Sequence, residues 1–169
     1  MAITRLGSNQ SINLANNVTG TLPAANVATL LSSNMPSGSI LQVQYNDITT
    51  NYTGTSSTNV DFPAWSFSFT PTSSSSKVLL IAIAGVNMIC DGKVYVKRNG
   101  SIIKDQWFSS TRVDHVNDYP YSCGSYLDSP ATTSAITYQV GGRSTGCTNI
   151  IRFGKTDGSA SMTIMEVAG

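Results

Sequence analysis

Charge is what this sequence has least of. Charged residues make up 11% of its 169 positions, against roughly 25% in typical soluble domains. Ser, Thr, Asn and Gly fill the difference, so the surface must be mostly hydroxyl and amide. Ten basic and nine acidic side chains leave a formal net charge of +1, and no run of Lys or Arg is long enough to follow a phosphate backbone. No nucleic-acid partner is therefore expected. Low surface charge also weakens the repulsion that keeps copies apart, which favours side-by-side packing.

Long apolar stretches are missing too. The longest run, Val78 to Val86, is too short to cross a bilayer, and Met1-Ala2-Ile3-Thr4-Arg5 leads into polar residues and not an apolar leader core. Neither membrane insertion nor a secretion signal is expected. Asn17-Val18-Thr19, Asn51-Tyr52-Thr53 and Asn99-Gly100-Ser101 match the glycosylation acceptor pattern and read as unmodified turn or loop residues. The three cysteines, Cys90, Cys123 and Cys147, have no C-x-x-C spacing, which indicates neither a zinc site nor a disulfide framework. Free thiols are the default reading, Cys90 as a small core residue; a bridge between Cys123 and Cys147 is the one pairing left open.

What is present divides at residue 38. Residues 1–38 are small and polar with sparse apolar positions at Ile12, Leu14, Val18 and Leu22, so they must bury these against another surface or stay disordered. Pro23 through Leu31 has Pro in a first turn and apolar residues, Val27 and Leu30 among them, at roughly helical spacing. It reads as one short helix, broken by Asn34-Met35-Pro36-Ser37-Gly38.

Residues 39–169 switch to short runs rich in Val, Ile, Phe, Tyr and Thr, punctuated by turn residues, the mark of a β-sandwich or barrel. Strands are expected near Ile40–Tyr45, Ala64–Thr70, Lys77–Ala84, Lys93–Arg98, Ser101–Phe108, Ser125–Asp128, Ile136–Gln139, Asn149–Phe153 and Ser161–Val167. Nine strands and almost no helix imply two packed sheets. Trp65, Phe67 and Phe69 alternate with Ser66 and Ser68, giving one buried and one wet face. Val78 to Ala84 does not alternate, so both its faces should be covered, the outer one by a loop, the N-terminal arm or a neighbouring subunit. Asn99-Gly100 and Asp157-Gly158 mark type I′ hairpins.

The candidate chemistry mostly fails on context. Gly142-Arg143-Ser144-Thr145-Gly146 matches the G-x-S-x-G nucleophile elbow, yet that elbow stands between a strand and a helix and needs a later His. The single histidine, His115, lies upstream, and Cys147-Thr148-Asn149-Ile150-Ile151 is a strand pattern. A glycine-rich loop is the expectation. Asp114, His115 and Asp118 lack diagnostic metal-ligand spacing and read as a solvated loop. Asp91, Asp105, Asp114, Asp118 and Asp128 are the carboxylates that could pair for glycoside hydrolysis, and Glu166, the one Glu, fits strand pairing or an interface better. No catalytic residue, metal or cofactor is expected, and the chain reads as a non-enzyme. The polar aromatic stretch with Trp107, Phe108, His115, Tyr119, Tyr121 and Tyr126 is the best candidate contact surface. Trp107, His115, Tyr119 and Tyr121 are its receptor-contact candidates, with a core or rim role as the alternative for Trp107 and Tyr126.

Ile12-Asn13-Leu14-Ala15-Asn16-Asn17-Val18-Thr19-Gly20-Thr21-Leu22-Pro23-Ala24-Ala25-Asn26 resembles the L-x-x-x-V-x-G-x-L-P-x-A-N phrase of tail-fibre and other virion structural proteins of tailed bacteriophages. Phe67 through Leu80 and the ending Met162 through Val167 resemble the trimeric β-domains that terminate such fibres. The resemblance implies a virion protein assembled in the bacterial host cytoplasm. It also implies an arm that anchors to capsid or tail proteins through Ile12, Leu14, Val18, Leu22, Val27 and Leu30, and a jelly-roll-like head that trimerises and meets a host-surface glycan or protein. One copy of the arm phrase and no extended shaft imply a stubby appendage, with capsid decoration or a head fibre as the close alternative.

Overall fold

The computed structural model describes residues 35–88, 92–110, 120–144, 150–154 and 160–169. They form ten antiparallel strands: β1 Ile40–Ile48, β2 Tyr52–Thr55, β3 Val60–Phe69, β4 Lys77–Met88, β5 Gly92–Arg98, β6 Ser101–Ser110, β7 Tyr121–Asp128, β8 Ile136–Ser144, β9 Ile150–Gly154 and β10 Ala160–Val167. The nine strands expected from the sequence are all present, with β2 added. The chain divides into Met1–Leu31 and Ser32–Gly169, and every described residue belongs to the second unit. The expected helix over 23–31 and the Asp157-Gly158 hairpin lie outside the described residues.

Sheet A joins β1, β10, β4, β9 and β2, with β7 also on β4; sheet B runs β3-β8-β5-β6. Register simplifies sheet A. Residues 77–83 of β4 pair with β10, and residues 78–85 pair with β7, so these partners flank β4 on opposite edges. Gly85 pairs with both Tyr121 and Gly154, which puts β9 end to end with β10 on one edge. By the same reasoning β2 continues the line of β1. Counting each aligned pair as one rank, sheet A reads first-eighth-third-sixth and sheet B second-seventh-fourth-fifth. That order is a jelly roll, two interlocked Greek keys closed into a sandwich.

The core follows from alternation. Phe62, Trp65, Phe67 and Phe69 of β3 face Val78, Leu80, Ala82, Ala84 and Val86 of β4 across the interior, with Tyr138, Val140, Val94 and Val96 from the middle of sheet B. Aromatic rings cross between sheets, since Phe62 stacks on Phe153 at 4.6 Å and Trp65 meets the same ring edge-on at 4.7 Å. β3 is an edge strand and contains Pro63, which removes a ladder donor and is tolerated there at a bulge. The register indeed shifts between Asp61 and Ser66. The Gln139 carboxamide fills the gap by donating to the Phe62 and Trp65 carbonyls at 2.7 and 3.2 Å, which keeps these backbone acceptors satisfied.

Two buried carboxylates sit in one row at the end of sheet A, Glu166 and Asp128, each paired in register with Val78. Glu166 Oε1 accepts from the Thr72 N–H at 2.8 Å, its hydroxyl at 2.9 Å and the Ser73 N–H at 3.2 Å, while Oε2 accepts from Gln42 Nε2 at 2.6 Å. Burial alone would raise the Glu166 pKa, but polar groups of Ser76, Gln42 and Thr72 outweigh it and hold the carboxyl below its ordinary value. Asp128 accepts from Arg98 at 2.7 and 2.8 Å and from the Tyr138 hydroxyl at 2.8 Å. Burial, then Asp128 itself, pushes the Tyr138 phenol well above its usual range, so it remains a donor. Glu166 thus ties the β3–β4 connection to β1 and β10, and Asp128 ties sheet A to sheet B.

One local expectation changes and another holds. Residues 142–144 are strand and not glycine-rich loop, because β8 continues to Ser144, whose N–H donates to the Ser56 carbonyl at 3.0 Å. The Ser144 side chain is buried, a poor position for a nucleophile. The Asn99-Gly100 hairpin has the expected form, with φ of 48° and 84° at its two central residues.

Candidate assembly face

A jelly roll has two outer faces, and here they differ in kind. On sheet B, Asp61, Arg143, Asp105, Lys93 and Lys97 project outward and largely satisfy one another. Lys97 Nζ reaches both Asp61 oxygens at 2.7 and 2.9 Å, and Arg143 contacts Asp105 at 2.9 Å and Asn59 at 2.7 Å. The Arg143 hydrogen bond holds the Asp105 carboxyl below its usual pKa. Tyr95 lies flat across Gly141 and donates to Asp61 at 2.9 Å. A Cβ on Gly141 would stand 2.5 Å from both the Tyr95 hydroxyl and the Val60 carbonyl, so only glycine lets the ring span the strand. Burial and then Asp61 push the Tyr95 phenol well above its usual range, which keeps the donor in place.

Sheet A presents a different outer surface. The register places Val43, Met165, Leu79 and Leu127 in one row that crosses all four ranks. The next row holds Tyr45, Thr163, Ile81 and Ser125, and the one after it Asp47, Ser161, Ile83 and Cys123. Several of these side chains stand open: Val43 is 58% exposed, Tyr45 63%, Leu127 48%, Ile83 43% and Tyr121, at the end of the same face, 58%. Since each is already about half covered, burying the rest is worth about 1 kcal/mol apiece, and contiguous apolar patches mark contact surfaces on soluble proteins. Among the described residues, Asp47 and Lys77 are charged positions on this face, and the register adds Arg152, opposite Asn87, near the end that holds Asp47.

β1 sharpens the contrast. Gln42, Gln44 and Asn46 are half-buried on the side toward the sandwich, while Val43 and Tyr45 project away from it. Gln44 donates to Asn46, and Asn46 to the Met162 carbonyl. The strand's apolar side therefore points out of its own domain.

The residues singled out from sequence fall as follows. Trp107 is 6% exposed and belongs to the core cluster, which corrects its place among receptor contacts: on β6 its indole packs inward. Tyr126 packs against the same core. Tyr121 is exposed, but on the apolar face of sheet A and not on a separate aromatic surface. His115 and Tyr119, the arm positions Ile12, Leu14, Val18, Leu22, Val27 and Leu30, and Asp91, Asp114 and Asp118 lie outside the described residues. Asp105 and Asp128 do not meet, the first lying on the exposed side of sheet B and the second between the sheets. Val78 to Ala84 is covered on its inner side, whereas Leu79 and Ile81 are half-buried and Ile83 open on the outer side. Val43, Tyr45 and Leu127 were not foreseen as surface residues. Their signal was the Gln42/Gln44/Asn46 alternation, read together with the unalternating run beside it.

No protein-family model and no curated protein match this sequence. Among solved structures the chain is similar to VP2 of infectious bursal disease virus, from the crystal structure of its subviral particle, with a TM-score of 0.45 and 7% identity. The match covers 76% of this chain and 33% of that one, so this chain spans well under half the length of that neighbour.

Proposed function

We propose that this chain is a structural component of a tailed-phage virion, a short trimeric appendage anchored by its N-terminal arm and engaged in host-surface attachment. The observation that carries the reading is a jelly roll whose one outer face carries a continuous apolar row, Val43, Met165, Leu79 and Leu127, across all four ranks. Such a face suits a subunit that works inside an assembly and is a liability for an isolated monomer. The arm phrase at Ile12 to Asn26 supports a virion as that assembly, with Ile12, Leu14, Val18, Leu22, Val27 and Leu30 as anchoring contacts on capsid or tail proteins. Jelly rolls also serve as lectins and cupins, so the fold by itself names no role. The proposed role is non-catalytic and needs no cofactor. Both buried carboxylates are engaged as acceptors that tie strands together.

A second reading, a capsid decoration protein that stabilises the particle without binding a receptor, is favoured by one specific feature. Of the receptor-contact candidates that are described, only Tyr121 is exposed, and it sits on the apolar face. Particles grown without the protein separate the two. Lost adsorption to host cells supports attachment, whereas normal adsorption with a lower particle melting temperature supports decoration. Absence of the protein from purified wild-type particles contradicts both.

A further inference from the structure

We infer that Asn99 is a site of self-modification, an asparagine whose side-chain amide is lost to attack by the backbone nitrogen of Gly100. The sequence holds a single Asn-Gly pair, and the structure sets it at the exposed tip of the β5–β6 hairpin with φ of 48° and 84°. Each part of the reaction finds its group in place. Among the described residues the Gly100 N–H donates to no acceptor, so the nucleophile is free. A Cβ on Gly100 would meet nothing within 4 Å, so the ring that forms there has room. The oxygen that takes up negative charge, Asn99 Oδ1, accepts from the Thr137 N–H at 2.8 Å. A backbone donor held on a developing oxyanion lowers the barrier to attack on its carbonyl. The leaving nitrogen, Nδ2, sits on an exposed residue and takes no part in the two bonds that tie Asn99 to Thr137.

Other asparagines share only pieces of this arrangement. Asn59 Oδ1 accepts from Arg143 at 2.7 Å, but Val60 follows it, and a side chain branched at Cβ crowds the attacking nitrogen. Asn46 spends its Nδ2 on the Met162 carbonyl. At Asn99 the Gly100 nitrogen gives up its proton and bonds to Cγ, the Cγ–Nδ2 bond breaks, and Nδ2 leaves as ammonia with that proton. The cyclic imide then takes up one water. Opening at the side-chain carbonyl gives aspartate, and opening at the main-chain carbonyl gives isoaspartate, with the extra methylene now in the backbone. Either product adds one negative charge to a formal net charge of +1 and leaves zero. A tight turn matched to the twist of its strands has no place for another backbone atom, so the isoaspartyl form also loosens the rung between Asn99 and Thr137. The reaction needs no partner, and its outcome is separate from the assembly role.

The test is to hold the full chain folded in warm, mildly alkaline buffer, beside the same chain unfolded in guanidinium chloride, and to follow tryptic peptides by mass spectrometry. Cleavage after Arg98 and Lys104 frees the peptide Asn99–Lys104, in which Asn99 is the one asparagine. The amide-to-acid mass gain should appear in that peptide before any other asparagine reacts, at a rate in the folded chain at least equal to that in the unfolded chain. The product should separate into two chromatographic forms, aspartyl and isoaspartyl. Isoelectric focusing should show an acidic species growing in step, and Asn99→Gln, whose longer side chain must close a larger ring, should lack it. The mass readout on the wild-type chain stands even where that variant fails to fold. A folded chain that keeps its Asn99 amide longer than the unfolded chain overturns the proposal, as does conversion in the folded chain that begins at another asparagine.

Discussion

The outer faces of the two sheets are built from the same charge-poor sequence, yet one settles its polar groups internally and the other leaves apolar groups open. On the outer side of sheet B, Asp61 and Lys97 close on the buried Tyr95 and on each other through hydrogen bonds of 2.7–2.9 Å. On sheet A the equivalent surface is Val43, Met165, Leu79 and Leu127, with nothing polar to satisfy and much to cover. The difference shows that low overall charge is not spread evenly. Among the described residues, most of the charge lies on sheet B and in the two interior clamps, which leaves the middle rows of sheet A apolar.

The largest effect should come from moving charge between the faces. Ile81→Lys, in the middle of sheet A, should reduce self-association by about 100-fold, while Ser68→Lys on the exposed side of β3 should change neither mass nor melting temperature. Equal effects at both sites would erase the contrast. Next in size is Gly141→Ala, whose new methyl collides with Tyr95 and with the Val60 backbone. Overpacking of this kind costs about 1–3 kcal/mol, so urea unfolding should show that loss while the oligomer survives at low denaturant. Retained stability would mean that Tyr95 is free to leave Asp61.

Glu166→Gln comes third. It keeps the shape but weakens the bonds to Thr72, Ser73 and Gln42, for about 1–2 kcal/mol at neutral pH. Because the folded carboxyl is held below its ordinary pKa, its contribution is present above the unfolded value and fades as pH falls through the acid range. The gap between wild type and variant should therefore close toward pH 3; a gap that widened on acidification would show the wrong sign. The smallest effect belongs to Lys97→Ala. The Lys97–Asp61 pair is partly exposed, and such pairs are worth about 0.2–1 kcal/mol, less at high salt.

Much of the fold was legible in the sequence. Trp65, Phe67 and Phe69 against Ser66 and Ser68 fixed the inner face of β3, and Asn99-Gly100 fixed a hairpin, because period and turn chemistry are local properties. The jelly-roll order was not local. It depends on β9 and β10 lining up along one edge of β4, which long-range pairing alone determines. β2 was missed because Tyr52-Thr53-Gly54-Thr55 is short and carries a glycine, and β8 was cut short because Gly142 to Gly146 read as a glycine-rich loop. Gly141 is there for close approach of the Tyr95 ring, a reason visible only with both strands in place.

The assembly face was half legible. The unalternating Val78 to Ala84 pointed to cover on both sides of one strand, and that side is where the open face lies. Alternation in β1 points the other way by itself, since Leu41, Val43 and Tyr45 would ordinarily be assigned to the core and Gln42, Gln44 and Asn46 to solvent. Gln42 faces inward because Glu166 needs a donor, and that pairing spans 124 residues. Trp107 was drawn toward the surface by its polar neighbours, although β6 turns it into the interior.

Cys123 offers the most direct measurement. Its exposed thiol lies beside Ile83 in the open face, so its alkylation rate in the full chain, followed by peptide mass spectrometry at that residue, reports whether the face is covered. Use of this face inside the assembly predicts slow alkylation of Cys123 in purified particles and fast alkylation in the dissociated chain. A rate as fast in particles as in the dissociated chain would contradict it.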